Sequence, residues 1–420
     1  MKKTVALFLS LSIVLVFLMS TLLVSCSPKA KDEKSGSFVS GKYQNLFTDL
    51  LGNDSTIVNE KLNKAWQQLF YGDSLTERLF YVVDNDMAYI QDFIHNDVRT
   101  EGISYGMMIA VQLDKKDEFN KLWKWAKTYL QHKTKNREGY FAWQAKTDGT
   151  KLDSNSASDG EIWYVTALFF ASGRWGDGEG IFNYSAEANN ILKNMLNKIE
   201  KSDDPKDITN MFNKLEKQVV FVPAGEADDF TDPSYHTPHF YELWAKWAEQ
   251  DNKFWAEAAK TSREFLKKAV HPKTGLAPDY AHFDGRGINP WNGGTDNFQY
   301  DAWRVAMNVA VDYEWFKADE WAVEQSNRLL KFFHSQGMEN YVSLYTLDGQ
   351  KKNDSKNPGL VAMNAVAALT ATDGIKKEFV KELWEMEIPK GEGRYYDGLL
   401  YMLAMLQVSG NFKIYEPKIF

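Results

Sequence analysis

The chain has 420 residues, of which 44% are hydrophobic and 25% charged, a balance that excludes disorder and fibrous or low-complexity classes for most of its length. Its 49 Lys and Arg against 57 Asp and Glu give a net charge of -8, and with no long basic block beyond the N-terminus, nucleic acid is excluded as the expected partner. One cysteine, Cys26, leaves no disulfide framework and no Cys-based zinc site in the body, while an aromatic share of 14% points to a need for flat apolar surfaces.

In chain order, Met1-Lys2-Lys3 is followed by an almost uncharged apolar run from Val5 to Val24 and then by Leu23-Val24-Ser25-Cys26. This resembles a bacterial lipoprotein signal, cut before a cysteine that is then lipidated. Residues 1–26 are expected to be that signal with its lipidation cysteine, and 27–40, rich in Lys, Ser, Asp and Glu, a flexible tether. The folded body is expected at 41–420. An apolar run of about 20 residues also has the length of a membrane anchor. Either reading exports the body, and the lipid reading fixes it to a membrane surface.

From Tyr43 onward apolar residues recur at helical spacing: Leu62, Trp66 and Leu69; Phe119, Leu122, Trp123 and Leu130; Ile162, Val165, Leu168 and Phe169. The same period predicts helices over 240–248, 255–270, 302–315, 321–334, 360–371, 376–384 and 399–408. Strand-like alternation is confined to 218–222 and 339–347. A single all-α domain of about a dozen helices is expected.

Between these runs the residues are unusual: DNDMAYI at 84–90, TEGISYG at 100–106, SASDGEIWY at 156–164, DPSYHTPHFY at 232–241, NGGTDNFQYDAWR at 292–304 and GRYYDGLLY at 393–401. Each interleaves acids with aromatics. Several acids stand at or just before a helical run, where Asp159, Asp301 and Asp397 would serve as N-caps. Helical hairpins arranged in a ring would instead converge them on one cleft.

Carboxylates among aromatics, with no nucleophile-base pair and no metal cluster, suit a carbohydrate. Two acids suffice for glycoside hydrolysis, one protonating the leaving oxygen and the other activating water or attacking directly. Glu101, flanked by Ile103, Tyr105 and Met107, has the apolar setting of a protonated acid.

The strings VRTEGISYGMM at 98–108, SASDGEIW at 156–163, DPSYHTPHFYELW at 232–244 and YDAWR at 300–304 resemble glycoside hydrolase family 8, in family order from about Trp66 to Tyr401. The resemblance implies an (α/α)6 barrel, an inverting mechanism, no cofactor, and β-1,4-linked substrates such as xylan or xylo-oligosaccharides. It assigns Glu101 as general acid and Asp301 as general base, with Arg304 one helical turn on to orient it. Asp159 would distort the sugar and support the transition state, or take the base role, and Tyr235 would position the water. Trp66 and Trp143 match stacking positions, and Tyr395 and Tyr396 a polar-aromatic cluster near the C-terminus. A monomer is expected.

Within the family the spellings are most similar to members that release xylose from the reducing end of xylo-oligosaccharides. Those carry a Leu-His-Pro loop that recognises the reducing end. The corresponding stretch here is Lys356-Asn357-Pro358, which makes Asn357 a substrate-binding candidate and leaves an endo-acting xylanase, a glucanase or a chitosanase open. A non-catalytic surface glycan-binding lipoprotein would need no second acid. His236 and His239 lack a third ligand of suitable spacing, so no metal is expected; residues 153–164 lack the Gly and Glu of a calcium loop, and 285–290 lack the third Gly of a dinucleotide loop.

Overall fold

The computed structural model describes residues 35–134, 136–198 and 208–418. The signal region and Cys26 lie outside the described residues. The compact unit begins at Gly36, five residues earlier than the expected tether boundary. Ser37 Oγ donates to Glu314 Oε1 at 3.1 Å and Phe38 packs on Phe316 with ring centroids 5.2 Å apart, so 37–40 are part of the fold.

Two short helices, α1 (Ser37–Ser40) and α2 (Leu46–Asp49), precede α3 (Ser55–Tyr71). Eleven further helices follow: α4 (Thr100–Gln112), α5 (Lys116–Trp125), α6 (Ser158–Trp175), α7 (Tyr184–Leu196), α8 (Pro238–Trp247), α9 (Asn252–Ala269), α10 (Arg304–Phe316), α11 (Trp321–Ser335), α12 (Pro358–Ala367), α13 (Lys376–Glu385) and α14 (Arg394–Val408). α4, α6, α8, α10, α12 and α14 touch one another in that order, and α14 returns to α4, closing a ring. α3, α5, α7, α9, α11 and α13 pack outside it, each against its inner neighbour. This is the expected (α/α)6 barrel.

The two rings differ in sequence because they differ in what surrounds them. Every residue of α4 except Glu101 is buried, as is α12 from Gly359 onward, the all-round burial of a helix enclosed by others. α9 buries only Trp255, Ala258, Ala259, Ser262, Phe265, Leu266 and Ala269, the single stripe of a helix with one wet face. At the site end the inner helices approach closely. A Cβ on Gly102 of α4 would lie 2.5 Å from the Tyr395 ring of α14, and one on Gly160 of α6 would lie 2.4 Å from the Thr100 side chain, so these two crossings require glycine.

Several expectations shift in detail. TEGISYG and SASDGEIWY lie largely inside helices, as the first turns of α4 and α6. The N-caps of α6 and α14 are Ala157 and Gly393, neither with a capping side chain, so Asp159 and Asp397 sit within the first turn, and Asp301 lies in a 3-10 turn, Tyr300–Trp303, leading into α10. Helix α7, which the apolar period did not single out, completes the outer ring. Of the expected strands, 218–219 pairs with 212–213, but 339–347 holds only isolated bridges at Tyr345.

An unexpected antiparallel hairpin joins β1 (Phe80–Val83) to β2 (Met87–Ile90), its turn made by Asp84 and Asn85 at positive φ, a region Asp and Asn tolerate better than most residues. A three-stranded sheet of β3 (Val98–Arg99), β4 (Gln144–Ala145) and β5 (Lys151–Asp153) runs into the start of α4, where the Thr100 N–H donates to the Trp143 carbonyl at 3.0 Å.

Candidate active site

The six inner helices start at one end of the barrel. There they surround a cavity of about 550 Å³ lined by Glu101, Asp159, Tyr235, Asp301, Tyr395 and Tyr396, with Trp143, Phe221, Tyr280 and Trp291 among its walls.

Arg304, the first residue of α10 and only 2% exposed, organises the floor. Its Nη1 donates to Glu101 Oε2 at 2.8 Å, to the Tyr105 hydroxyl at 2.6 Å and to Asp159 Oδ2 at 3.3 Å. Its Nη2 pairs with Asp301 Oδ1 at 2.8 Å and lies 3.9 Å from Asp232 Oδ2. One rigid planar fork thus sets Glu101 and Asp301 at opposite nitrogens. The role expected for Arg304, orienting Asp301, widens to holding three acids at once.

Burial pushes the Glu101 carboxyl above the usual range, and the negative charge of Asp301 adds to that, against the pull of Arg304 and Arg99. The Tyr395 hydroxyl donates to Glu101 Oε1 at 3.0 Å. Burial likewise raises Asp159 to about 7, with Glu101 and Asp301 contributing and Arg304 opposing. Tyr396 donates to the Tyr300 carbonyl at 3.0 Å and reaches Asp301 Oδ1 at 3.5 Å. Tyr235, on the 3-10 turn Pro233–Tyr235 just before α8, faces the cavity with its ring 5.8 Å from the Arg304 guanidinium carbon.

Trp143 reaches the cavity, its ring covered by the Arg99 guanidinium at 5.3 Å. Trp66 does not. It is 1% exposed on outer helix α3 and stacks on Phe70 one turn later, ring centroids 3.6 Å apart; an outer helix turns its apolar stripe to the inner ring, away from the cavity. Asn357 does not line the cavity either. It precedes α12, its N–H donating to Ser343 Oγ at 2.6 Å. Its side chain serves Asp397, whose carboxyl burial raises to about 6 while the Gly359 N–H and Asn357 pull it down. His236 packs on Phe265 between the hydroxyls of Thr231 and Ser262, at 3.0 and 2.9 Å, and among the described residues no group of three His, Cys, Asp or Glu could hold a metal ion.

Three further buried acids support the site. Asp279 accepts the Ala302 N–H on Oδ1 at 3.0 Å and the Gln299 amide on Oδ2 at 3.0 Å, gripping the turn that carries Asp301 on both sides. Asp232 Oδ1 accepts the Ser234 N–H at 2.6 Å and shapes the turn ending in Tyr235. Glu161, fully buried and raised by that burial, accepts the Phe141 N–H at 3.0 Å, two residues before Trp143. Asp232 was not singled out, though it opens the DPSYH motif, which was the signal for it; Asp279 belongs to no motif, and only the folded chain brings it to Asp301.

A family model for glycosyl hydrolases family 8 matches residues 38–410. The reducing-end xylose-releasing exo-oligoxylanase Rex8A of Paenibacillus barcinonensis is 45% identical over 385 residues, 90% of this chain and 98% of that protein. Its structure with xylose superposes with a TM-score of 0.86, covering 90% of this chain and 99% of that one at 44% identity. A xylanase from Teredinibacter turnerae, solved as the xylohexaose complex of a catalytic mutant, gives a TM-score of 0.87 at 43% identity over 91% of this chain and all of that one. With its ring of helices, its motifs and a family match across nearly all of the folded unit, the chain belongs to glycoside hydrolase family 8.

Proposed function

We propose that this protein hydrolyses β-1,4-xylosidic bonds of xylo-oligosaccharides with inversion, releasing xylose from the reducing end. The observation that carries the chemistry is the pair Glu101 and Asp301 on opposite nitrogens of Arg304, at the floor of a cavity walled by aromatic rings. The reading of the substrate is supported by the likeness to Rex8A, which the chain covers almost end to end.

In this reading Glu101 gives its proton to the glycosidic oxygen as the bond to the anomeric carbon breaks. Asp301 takes a proton from a water held between it and Tyr235, and that water attacks the opposite face of the sugar. Inversion requires the two carboxyls to stand about 6.5–9.5 Å apart, so that this water fits between Asp301 and the sugar. Asp159 grips the distorted sugar and supports the oxocarbenium-like transition state. After departure of the product, Arg304 and Tyr395 steady the Glu101 carboxylate until it is reprotonated.

An endo-acting xylanase is the second reading, favoured by Asn357 standing where a reducing-end-recognising histidine is expected. A time course on xylotriose to xylohexaose labelled at the reducing end, with proton NMR of the first-formed anomer, separates them. Labelled xylose first from every chain, with the α-anomer first formed at the new reducing end of the shortened chain, supports exo action with inversion. Mixed internal cuts demote it to endo action, and no cleavage removes xylan as substrate.

We infer further that the N-terminal segment exports the protein and that Cys26 carries a lipid anchoring a monomeric catalytic unit to a bacterial membrane. Metabolic labelling with a fatty acid should mark the wild type and spare Cys26→Ala, and light scattering should give one chain per particle.

A further inference from the structure

One wall of the cavity is a row of aromatic rings running from the catalytic floor to the surface. Tyr235 lies 5.7 Å from Phe221, nearly parallel at 21°. Phe221 lies 5.8 Å from Trp291. Trp291 is 59% exposed, yet still lines the same cavity.

Its orientation is fixed from behind. Tyr280 meets it edge-on at 5.9 Å and 84°, and Phe230 at 5.7 Å and 67°. The loop bearing it is tied at its base. Asn289 Oδ1 accepts the Gly294 N–H at 3.0 Å, Thr295 Oγ1 donates to the Ile288 carbonyl at 2.8 Å, and the Tyr280 N–H donates to the Thr295 carbonyl at 2.8 Å. At the tip Asn292 takes a φ of 55°.

A lone exposed apolar residue means little. This one is a large flat ring held against three others, continuous with the rings that lead to Arg304. An indole has no group that donates or accepts a proton, or attacks, in glycoside hydrolysis. What such a surface fits is the C–H face of a pyranose, with apolar contact below and an indole N–H at the edge for a hydroxyl.

We propose that Trp291 is a distal sugar platform, on which a xylose ring of the same chain stacks beyond those held at Glu101 and Asp301. This rests on the xylo-oligosaccharide reading above and adds a specificity residue to it. Longer chains gain affinity at Trp291; chains too short to span the row do not.

The test compares wild type, Trp291→Ala and Trp291→Phe on xylotriose to xylohexaose. Trp291→Ala should lower kcat/KM on xylohexaose by about three- to tenfold, through KM, while xylotriose kinetics stay at the wild-type value and Trp291→Phe recovers most of the loss. Equal losses at every length, or none on xylohexaose, overturn the platform. Migration in native gels containing soluble xylan reads the platform without cleavage. Retardation that depends on Trp291 in a protein that cuts no xylo-oligosaccharide would overturn the catalytic reading alone, and wild-type retardation of Trp291→Ala would overturn the platform.

Discussion

Tyr395 donates its hydroxyl hydrogen to Glu101 at 3.0 Å, joining the first inner helix of the barrel to the last. The contact depends on Gly102, whose missing side chain lets the Tyr395 ring lie against α4 beside the acid. The residue proposed to give up the proton is therefore positioned by the closure of the ring itself.

Glu101→Gln should lower kcat by about 10²–10⁴-fold, the usual worth of a positioned general acid, while xylo-oligosaccharide affinity persists. Asp301→Asn should behave alike, since an amide does not accept the water's proton. Steady-state rates with calorimetric binding check both, and wild-type rates in either variant would remove that residue from its role.

Activity should fall on the alkaline side as Glu101 loses its proton, at a pH above the ordinary carboxylate range because burial raises it. Asp159 contributes to the pH dependence of stability, together with the other buried acids that burial raises. Its folded value of about 7 lies above the ordinary value of about 3.9, so the native state holds this proton more tightly than the unfolded chain. The resulting stabilisation is complete below the unfolded value and is lost as pH rises through about 7. Melting temperatures from acid to neutral pH should decline more steeply in wild type than in Asp159→Asn.

Arg304→Met should cost about 3–5 kcal/mol of stability, because it leaves buried carboxylates without their counter-charge, and should abolish turnover. Arg304→Lys should recover part of the stability and little of the rate, since an ammonium cannot meet Glu101 and Asp301 with two separate nitrogens. Urea unfolding and rate measurements on the two variants check this.

Asp279→Ala frees both ends of the turn that carries Asp301. It should lower kcat on the order of 10²-fold, the effect of a misplaced catalytic group, with KM little changed. Asp279→Asn keeps one acceptor and should fall between. A loss confined to KM would rule out positioning of the base.

Trp66→Ala should cost about 3–5 kcal/mol, as for a large aromatic removed from a core, with KM unaltered. A rise in KM at unchanged stability would restore the stacking role expected from sequence.

The helices were legible because apolar spacing records which face of each is buried, whereas their closure into a barrel was implied by the family resemblance of the motifs and not by the spacing. α4 and α6 were harder to read: at Glu101 and Asp159 function places acids in helices that are otherwise buried all round, so their first turns resemble loops. The hairpin at 80–90 escaped because Asp84, Asn85 and Asp86 interrupt its alternation. The motif acids Glu101, Asp159 and Asp301 do line one cavity; Asp279 and Trp291 were not read from the sequence, since each owes its place to residues distant in it. Trp66 shows the converse, a motif match on the wrong ring of helices.

Synthesis from the N-terminus delivers Glu101 long before Tyr395, and Asp301 and Arg304 between them. A chain stopped short of α14 would hold every carboxylate of the site but leave α4 without one neighbour and the acid open to water. Catalytic power in this barrel thus waits on the last helix of the chain to be made.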